Sequence, residues 1–230
     1  MKMMIDAGHG FETPGKRTVD GMREYEFNRA VANEMKRLLA GYENVTTMFS
    51  HSDQKDVPLL ERTRKANQAN VDVFISIHAN AHGNGKEWTS AEGIETFVYE
   101  SKPKEALGLA KAVQAELIKL TGRKDRGVKT ASFHVLKATK MTAILCECGF
   151  MTNKFEASLL RTPGYRNLCA LAIVNGLATY YKLKKKQSHQ PSAKTVYRVQ
   201  LGAFLKKENA EKLVSKLRKQ GYEAFIVSSN

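Results

Sequence analysis

Two histidines stand where strands of the predicted sheet end. His9 follows the first apolar run of the chain, and His78 lies near the end of the β-branched run at residues 71–79. Functional loops of α/β folds follow strand ends, and two such ends can lie side by side in a parallel sheet. Two imidazoles placed there could begin a metal site, which needs a third ligand. Glu24 or Glu26, in the loop before the first predicted helix, could supply it.

Glu147 is the one charged residue in the apolar run from Ala143 to Phe150. Burying a bare carboxylate is costly, so such a group is paired, neutral or next to a metal. Strand periodicity places it on the face opposite the two neighbouring cysteines, where it could reach the same site as the histidines. The alternative is a structural salt bridge to Arg62 or Arg126. Taken alone, these residues favour neither interpretation.

Two other patterns resemble a phosphate-binding loop and an additional metal ligand, but we expect neither function. Residues 10–16 have the outline of a phosphate-binding G-x-x-x-x-G-K loop, but Arg17 stands where the magnesium-binding Ser or Thr should be. Pro14 also removes a backbone N–H that a phosphate would need. His82 follows His78 by four residues, but in a loop rather than on a helix, so we expect it at the surface.

The elements that must position these residues alternate between strands and helices. This alternation predicts an α/β fold with a mostly parallel twisted sheet flanked by helices. Strands are predicted at residues 2–6, 45–49, 71–79, 93–99 and 142–148, with a short one at 135–136, and helices at residues 29–39, 59–70, 105–121 and 163–183.

A charged, polar stretch at residues 184–194 is typical of a linker. A small β-α-β unit is predicted after it, from strands at 196–201 and 222–227 around a helix at 206–220. We therefore expect a catalytic domain at 1–183, the linker at 184–194, and a C-terminal unit at 195–230.

The composition is that of an ordinary globular protein, with 42% hydrophobic and 26% charged residues and no run of about 20 apolar residues that could span a membrane. The first residues leave no room for a signal peptide, so we expect synthesis and retention in the cytoplasm. Three cysteines, without a C-x-x-C spacing, are expected to be buried thiols.

The net charge of +14 is concentrated in the tail, where residues 184–230 carry 11 basic and three acidic side chains. Such a tail suggests an anionic partner: nucleic acid, anionic lipid or a cell-wall polymer. The tail lacks the alternation of aromatic and basic residues that single-stranded nucleic-acid binders use, so we expect no nucleic-acid partner. A solvated surface that promotes solubility is the alternative.

Taken together, five ordered motifs resemble the zinc-dependent N-acetylmuramoyl-L-alanine amidases of the amidase-3 type. The resemblance covers residues 1 to about 182, and it implies a Zn²⁺ ion held by His9, Glu24 and His78 with Glu147 as the catalytic glutamate. The motifs are Asp6-x-Gly8-His9-Gly10, Gly21-x-x-Glu24-x-x-x-Asn28, Leu59-x-x-Arg62-x-x-x-Ala66-Asn67, Ser76-Ile77-His78-Ala79-Asn80 and Glu147-x-Gly149-Phe150-x-Thr152-Asn153.

The same resemblance implies hydrolysis of the amide bond between N-acetylmuramic acid and L-alanine in peptidoglycan. Substrate-binding roles are expected for Arg126, Lys129 and His134, because the stretch from Arg126 to Leu136 is similar to the segment that lines the groove in sporulation and phage lytic amidases. A substrate-binding role is also expected for Asn80, in the matched motif that contains His78. The protein would then leave the cytoplasm and act on the cell wall only after the membrane has been permeabilised. A carboxypeptidase-like zinc peptidase and a non-catalytic wall-binding protein remain alternatives.

The tail resembles one half of a SPOR domain, a peptidoglycan-binding module. One β-α-β unit buries too little apolar surface to be stable alone and leaves strand edges exposed. We therefore expect a homodimer joined through residues 195–230, with a partly disordered monomeric tail or a truncated chain as the alternatives.

Overall fold

The computed structural model describes residues 1–13, 15–186, 201–222 and 224–226. The chain divides into two compact units, Met1–Gln187 and Ser188–Asn230. In the first unit, a six-stranded sheet lies between two layers of helices. Its strands are β1 (Lys2–Ala7), β2 (Thr46–Phe49), β3 (Val73–Asn80), β4 (Ile94–Val98), β5 (Asp125–Thr130) and β6 (Thr142–Phe150). Its helices are α1 (Glu24–Leu39), α2 (Leu59–Gln68), α3 (Lys104–Thr121), α4 (His134–Lys137), α5 (Lys154–Leu160) and α6 (Pro163–Tyr181).

The strands follow the order β2-β1-β3-β6-β4-β5 across the sheet. Every pair of neighbours is parallel except β4 and β6, which are antiparallel. The predicted α/β fold with a mostly parallel sheet is confirmed. Because β1, β3 and β6 are parallel neighbours, their carboxyl ends meet at one edge.

The two faces of the sheet carry separate cores. Alternate residues of β1, such as Met3 and Ile5, pack with α1, α3 and α6 in the larger core. Met4, on the opposite face, packs with side chains of α2 and α4 in the smaller one. Cys146 and Cys148 belong to the larger core and Leu145 to the smaller, so period two places Glu147 on the face of α2 and α4. This agrees with the predicted orientation of Glu147.

Several elements of the first unit differ from the prediction. Helix α1 begins at Glu24, five residues before the predicted start, because the backbone N–H of Arg23 donates to Glu26 Oε1 at 2.9 Å and closes the first turn. The predicted strand at 135–136 is wrong: these residues form α4, whose buried Val135 and Leu136 join the smaller core. Neither β5 nor α5 was predicted.

The second unit contains α7 (Lys207–Lys219), close to the predicted helix at 206–220. Of the predicted strand at 222–227, the described residues 222 and 224–226 have no regular secondary structure, so a strand there is not found. Residues 196–200 of the other predicted strand lie outside the described residues, and Leu201 is not in a strand. No residue of α7 is buried.

Two further expectations can be compared with the structure. All three cysteines are buried free thiols, as predicted. Among the helices that the structure describes, none has the length and apolar content needed to cross a membrane.

Candidate active site

Three side chains converge where β1 and β3 end. The carboxylate of Glu24, the first residue of α1, lies between two imidazoles: Oε1 is 2.8 Å from His78 Nδ1, and Oε2 is 3.0 Å from His9 Nε2. One ligand-type atom from each of the three residues lies within 4.8 Å of the others. Both histidines are partly exposed and Glu24 is buried, so the cluster opens to solvent on the histidine side.

Backbone and side-chain donors fix the carboxylate of Glu24. Its Oε1 accepts from the side-chain amide of Asn28 and from the backbone of Ala79, each at 3.2 Å, and its Oε2 accepts from the backbone of Lys16 at 3.2 Å. Burial opposes ionisation, but hydrogen bonding to both imidazoles outweighs it and holds the pKa of Glu24 well below its usual range. Glu26, the competing candidate from the sequence, is exposed and bonds the backbone of Arg23 instead.

His9 reaches the cluster through an unusual backbone conformation. Its φ of 65° lies in the left-handed region, which residues other than glycine rarely adopt. The preceding Gly8 is required by close packing, because a Cβ there would lie 2.1 Å from the His78 ring. A Cβ at Gly15 would similarly lie 2.7 Å from the ring of His9. The glycines of this loop therefore allow two imidazoles to approach the backbone, and the loop folds against Glu24 rather than around a phosphate.

A buried ion pair between Asp6 and Arg62 holds the backbone of the His9 loop in place. Arg62 Nη1 donates to Asp6 Oδ1 at 2.9 Å and to the carbonyl of Ala7 at 2.6 Å, and Nη2 donates to the carbonyl of His9. Burial would raise the pKa of Asp6, but the charge of Arg62 and hydroxyl donors, Ser76 among them, lower it. Asp6 and Arg62 are both almost fully buried, so this pair fixes the end of β1 and, with it, His9.

Glu147 lies directly beside the metal-type cluster. It is paired in register with His78 across β3 and β6, one strand spacing or about 5 Å away. Its Oε2 is shielded from solvent and makes no hydrogen bond with the described residues. Burial, together with the nearby charges of Glu24 and Glu95, raises the pKa of Glu147 well above its usual value. A carboxylate with a raised pKa beside a metal-type cluster can accept and return a proton.

Neither salt bridge that the sequence offered to Glu147 is formed. Arg62 pairs with Asp6, and Arg126 pairs with Glu95 through its Nε at 2.6 Å. A purely structural role as an ion-pair partner therefore has no support from the contacts of Glu147.

Three of the four predicted substrate-binding residues contact one carboxylate that the sequence analysis missed. Glu95 Oε1 accepts from Asn80 Nδ2 at 2.8 Å, and Oε2 accepts from Arg126 and from Lys129 Nζ at 2.5 Å. Glu95 is paired in register with Glu147 across β4 and β6. The signal was present in the sequence, since Glu95 is a carboxylate in an apolar strand just as Glu147 is.

His134, the fourth predicted substrate-binding residue, is the first residue of α4 and does not contact Glu95. Its Nε2 is 3.3 Å from Thr63 Oγ1 of α2, so it joins the two helices that cover the smaller core. His82 is exposed, as predicted, and does not belong to the His9, Glu24 and His78 cluster.

The cluster has the composition of a metal site. Two imidazole nitrogens and one carboxylate oxygen are a ligand set that leaves a fourth position open for catalysis. The buried carboxylate also supplies a negative charge that offsets part of the charge of a divalent cation. The side chains and spacing therefore fit a divalent metal ion on the solvent-facing side of the cluster.

Comparison with known proteins gives two family matches. The family described as N-acetylmuramoyl-L-alanine amidase matches residues 3–179, and the family described as SPOR domain matches residues 174–229. The first match covers all six strands except Lys2, and it includes His9, Glu24, His78 and Glu147.

Individual relatives agree with the family matches. The chain is 32% identical over 228 residues to the N-acetylmuramoyl-L-alanine amidase CwlM of Bacillus licheniformis, covering 99% of this chain and 85% of that protein. It is also 32% identical to the sporulation-specific N-acetylmuramoyl-L-alanine amidase of Bacillus subtilis, covering 99% and 84%. The crystal structure of an N-acetylmuramoyl-L-alanine amidase from Clostridium difficile 630 superposes with a TM-score of 0.75 at 31% identity, covering 79% of this chain and 96% of that one.

Proposed function

Since the chain belongs to the N-acetylmuramoyl-L-alanine amidase family, we propose that it hydrolyses peptidoglycan with a Zn²⁺ ion held by His9, Glu24 and His78 and with Glu147 as the general base. The bond cut joins the lactyl group of N-acetylmuramic acid to L-alanine of the stem peptide. One observation carries the proposal: three ligand-type atoms within 4.8 Å of one another lie one strand from Glu147, whose Oε2 makes no hydrogen bond with the residues that the structure describes.

The residues present fit zinc in particular. Imidazole and carboxylate are ligands of catalytic zinc, and a set of two histidines and one glutamate is among its known arrangements. When bound, the ion supplies a Lewis acid that lowers the pKa of water and polarises a carbonyl oxygen. Asn28, the backbone of Ala79 and the backbone of Lys16 orient Glu24 for this role, because outer hydrogen bonds fix the direction of a ligating carboxylate.

Glu147 moves the proton. Burial and the nearby charges of Glu24 and Glu95 raise its pKa, which strengthens it as a base, and Oε2 has no competing hydrogen-bond partner among the described residues. It accepts a proton from the attacking water and then donates it to the nitrogen of the leaving L-alanine. The amide bond between the lactyl carbonyl and this nitrogen breaks, so the products are a carboxylic acid and a free amine.

Substitution of the two competing glutamates tests the metal assignment. Glu24→Ala is expected to lose zinc, because it removes the buried ligand between the two imidazoles, whereas Glu26→Ala is the matched control and should keep it. Metal content per chain is measured after purification with zinc, and circular dichroism checks that each variant is folded. Stoichiometric zinc in folded Glu24→Ala would show that the ligand set is wrong.

Product analysis separates the proposed reaction from its alternatives. An amidase releases intact stem peptides with a new L-alanine amino terminus and leaves glycan strands free of peptide. A carboxypeptidase-like enzyme would instead shorten the stem peptide from its carboxyl end, and a wall-binding protein would release nothing. Amino-terminal analysis of digested cell walls therefore decides among the three.

We also propose that the C-terminal unit, residues 195–230, joins two chains and binds peptidoglycan in the dimer. In its described part, α7 buries none of its residues, and apolar side chains remain strongly exposed. These are Leu201, Phe204, Leu205, Tyr222, Phe225 and Ile226. A second copy of the same unit would cover this surface by packing its own apolar side chains against it. The SPOR family match, which extends through the unit, supports peptidoglycan binding.

Light scattering tests the dimer. The full chain is expected to have twice the mass of one chain at micromolar concentration, whereas residues 1–183 should be monomeric. A monomeric full chain would refute the dimer and leave the amidase proposal intact.

A further inference from the structure

A cluster of one carboxylate and two cations lies beside the catalytic carboxylate. Glu95, on β4, holds Arg126 and Lys129, both on β5, through hydrogen bonds of 2.6 and 2.5 Å. Glu95 is almost fully buried, while the two cationic side chains remain 31% and 39% exposed. Glu95 is therefore the buried side of the cluster, and the two cations form its solvent-accessible side.

The charges of the cluster do not cancel. One carboxylate faces two cations, which leaves one positive charge in excess. Of the neighbouring acidic groups, Glu92 faces Lys124 at 3.8 Å, and Asp125 Oδ1 accepts from Gln114 Nε2 at 2.6 Å. Glu147, on β6 and in register with Glu95, forms no ion pair with Arg126 or Lys129 among the described contacts. The two partly exposed cations thus share one carboxylate, and their solvent-facing sides are available to an anionic group from solution.

Donor atoms of the cluster also remain unused. Arg126 uses Nε for Glu95 and Nη1 for the carbonyl of Glu92 at 3.4 Å, and its guanidinium lies over the Phe150 ring at 4.9 Å. Its Nη2 makes no hydrogen bond with the part of the chain that the structure describes, and Lys129 Nζ has two further N–H donors beyond its bond to Glu95. Stacking and the bond to Glu95 hold the guanidinium plane in one orientation, which suits a carboxylate ligand.

The position of the cluster matches the length of a peptide. From Glu147 on β6 to the residues of β5 is a distance of two strand spacings, about 10 Å. An extended chain advances about 3.3–3.6 Å per residue, so groups two or three residues beyond the cleaved amide lie about 7–11 Å from it. A stem peptide bound across the sheet face would bring the carboxylate of its second or third residue to this cluster.

We propose that Arg126 and Lys129, held in place by Glu95, form a subsite for a free carboxylate of the stem peptide, so that the enzyme prefers stem peptides whose carboxylates are not amidated. This inference rests on the proposed function, because it takes the stem peptide as the ligand. It adds a specificity that the amidase reaction itself does not require.

The test uses four synthetic substrates that differ only in charge. Each is an N-acetylmuramoyl tripeptide of L-alanine, γ-linked D-glutamate and diaminopimelate with an amidated carboxyl terminus. The α-carboxylate of the second residue and the side-chain carboxylate of the third are each free or converted to carboxamide. Calorimetry measures binding to full-length Glu147→Gln, and KM and kcat are measured for the wild type.

The free-carboxylate substrate is expected to bind about 10-fold more tightly than the doubly amidated one, which is the low end for a charge-assisted hydrogen bond at a partly exposed site. The singly amidated substrates identify which residue supplies the carboxylate. Lys129→Met should abolish the preference by weakening binding of the free-carboxylate form alone, and Lys129→Arg should restore most of it. Lys124→Met removes the same charge nearby, outside the cluster, and should change nothing.

Two results would overturn the subsite: equal binding of the free and doubly amidated substrates, or an equal loss for both in Lys129→Met. Because binding is measured without turnover, a binding preference in a protein that hydrolyses neither substrate would count against the proposed reaction and not against the subsite. Hydrolysis of the substrates without a binding preference would count against the subsite and not against the proposed reaction.

Discussion

The buried ring of His51 gives the fold a pH-dependent stability that can be calculated from its contacts. His51 follows β2 and is 7% exposed. Its Nδ1 accepts a hydrogen bond from the backbone N–H of Ala7 at 3.0 Å, and its ring centroid lies 4.5 Å from that of Phe49. Protonation would put a charge in this apolar setting and remove the acceptor for Ala7. Burial accordingly lowers the pKa of His51 from 6.5 to about 4.

The sign of the effect follows from proton binding. Between about pH 6.5 and pH 4, the unfolded chain binds a proton at His51 and the folded chain does not, so stability falls as the pH falls. At about 1.4 kcal/mol for each unit of pKa, the loss approaches 3 kcal/mol at pH 4 and levels off below that pH. This is a large part of the about 5–15 kcal/mol that stabilises a typical domain. Asp6, whose pKa is lowered below 3.8, loses its contribution at still lower pH.

Urea unfolding of the wild type and of His51→Gln, followed from about pH 7.5 to about pH 4 with chelator present, isolates the histidine. Glutamine retains a hydrogen-bond acceptor but does not titrate, so other titrating groups cancel in the difference between the two proteins. The wild type should lose about 3 kcal/mol relative to the variant over this range. A difference that stays constant within about 0.5 kcal/mol would refute the reasoning.

Three further substitutions follow from the site. Glu147→Gln should fold and bind zinc but release L-alanine amino termini from cell walls at least about 100-fold more slowly, the scale expected for loss of a general base, and wild-type rates would remove Glu147 from the mechanism. Gly8→Ala should abolish zinc binding in a folded protein, because the new Cβ would lie 2.1 Å from the His78 ring, while Gly164→Ala, where nothing lies within 4 Å, should bind zinc normally. Arg62→Met should lower the free energy of unfolding by about 3–5 kcal/mol by leaving Asp6 buried without its partner, and the exposed Arg64→Met should have almost no effect; equal stability of the two variants would contradict the role of the pair.

The parts of the fold that follow local periodicity could be predicted from the sequence. Strands β1, β3 and β6 are apolar runs bounded by polar loops, and α3 ends at Gly122, whose φ of 63° is the left-handed cap expected from its position. The placement of Glu147 opposite the cysteines followed from the two-residue period of a strand. Each of these features depends on neighbours in sequence, which the sequence displays directly.

The missed elements depend on contacts between distant residues. Strand β5 contains Asp125, Arg126, Gly127 and Lys129 and has no apolar alternation. It is a strand because it pairs with β4 at the sheet edge. Helix α4 has only four residues, and the pair Val135 and Leu136 has no period from which a helix could be distinguished from a strand.

The choice between Glu24 and Glu26 shows the same limit within the site. Both are acidic residues in the first turn of α1. Only the packed structure shows that Glu24 lies between the two imidazoles, whereas Glu26 accepts a hydrogen bond from the backbone N–H of Arg23. Glu95 was missed although, like Glu147, it is a carboxylate in an apolar strand. Its role depends on ion pairs with two cations that lie more than 30 residues further along the chain.

Removal and return of the metal test the central claim most directly. Wild-type protein is freed of metal by chelation and dialysis, and the release of L-alanine amino termini from purified cell walls is measured as zinc is added back. Activity should be lost without metal and should rise to its full value at one zinc per chain. Undiminished release of L-alanine amino termini by metal-free protein would contradict metal-assisted hydrolysis at His9, Glu24 and His78.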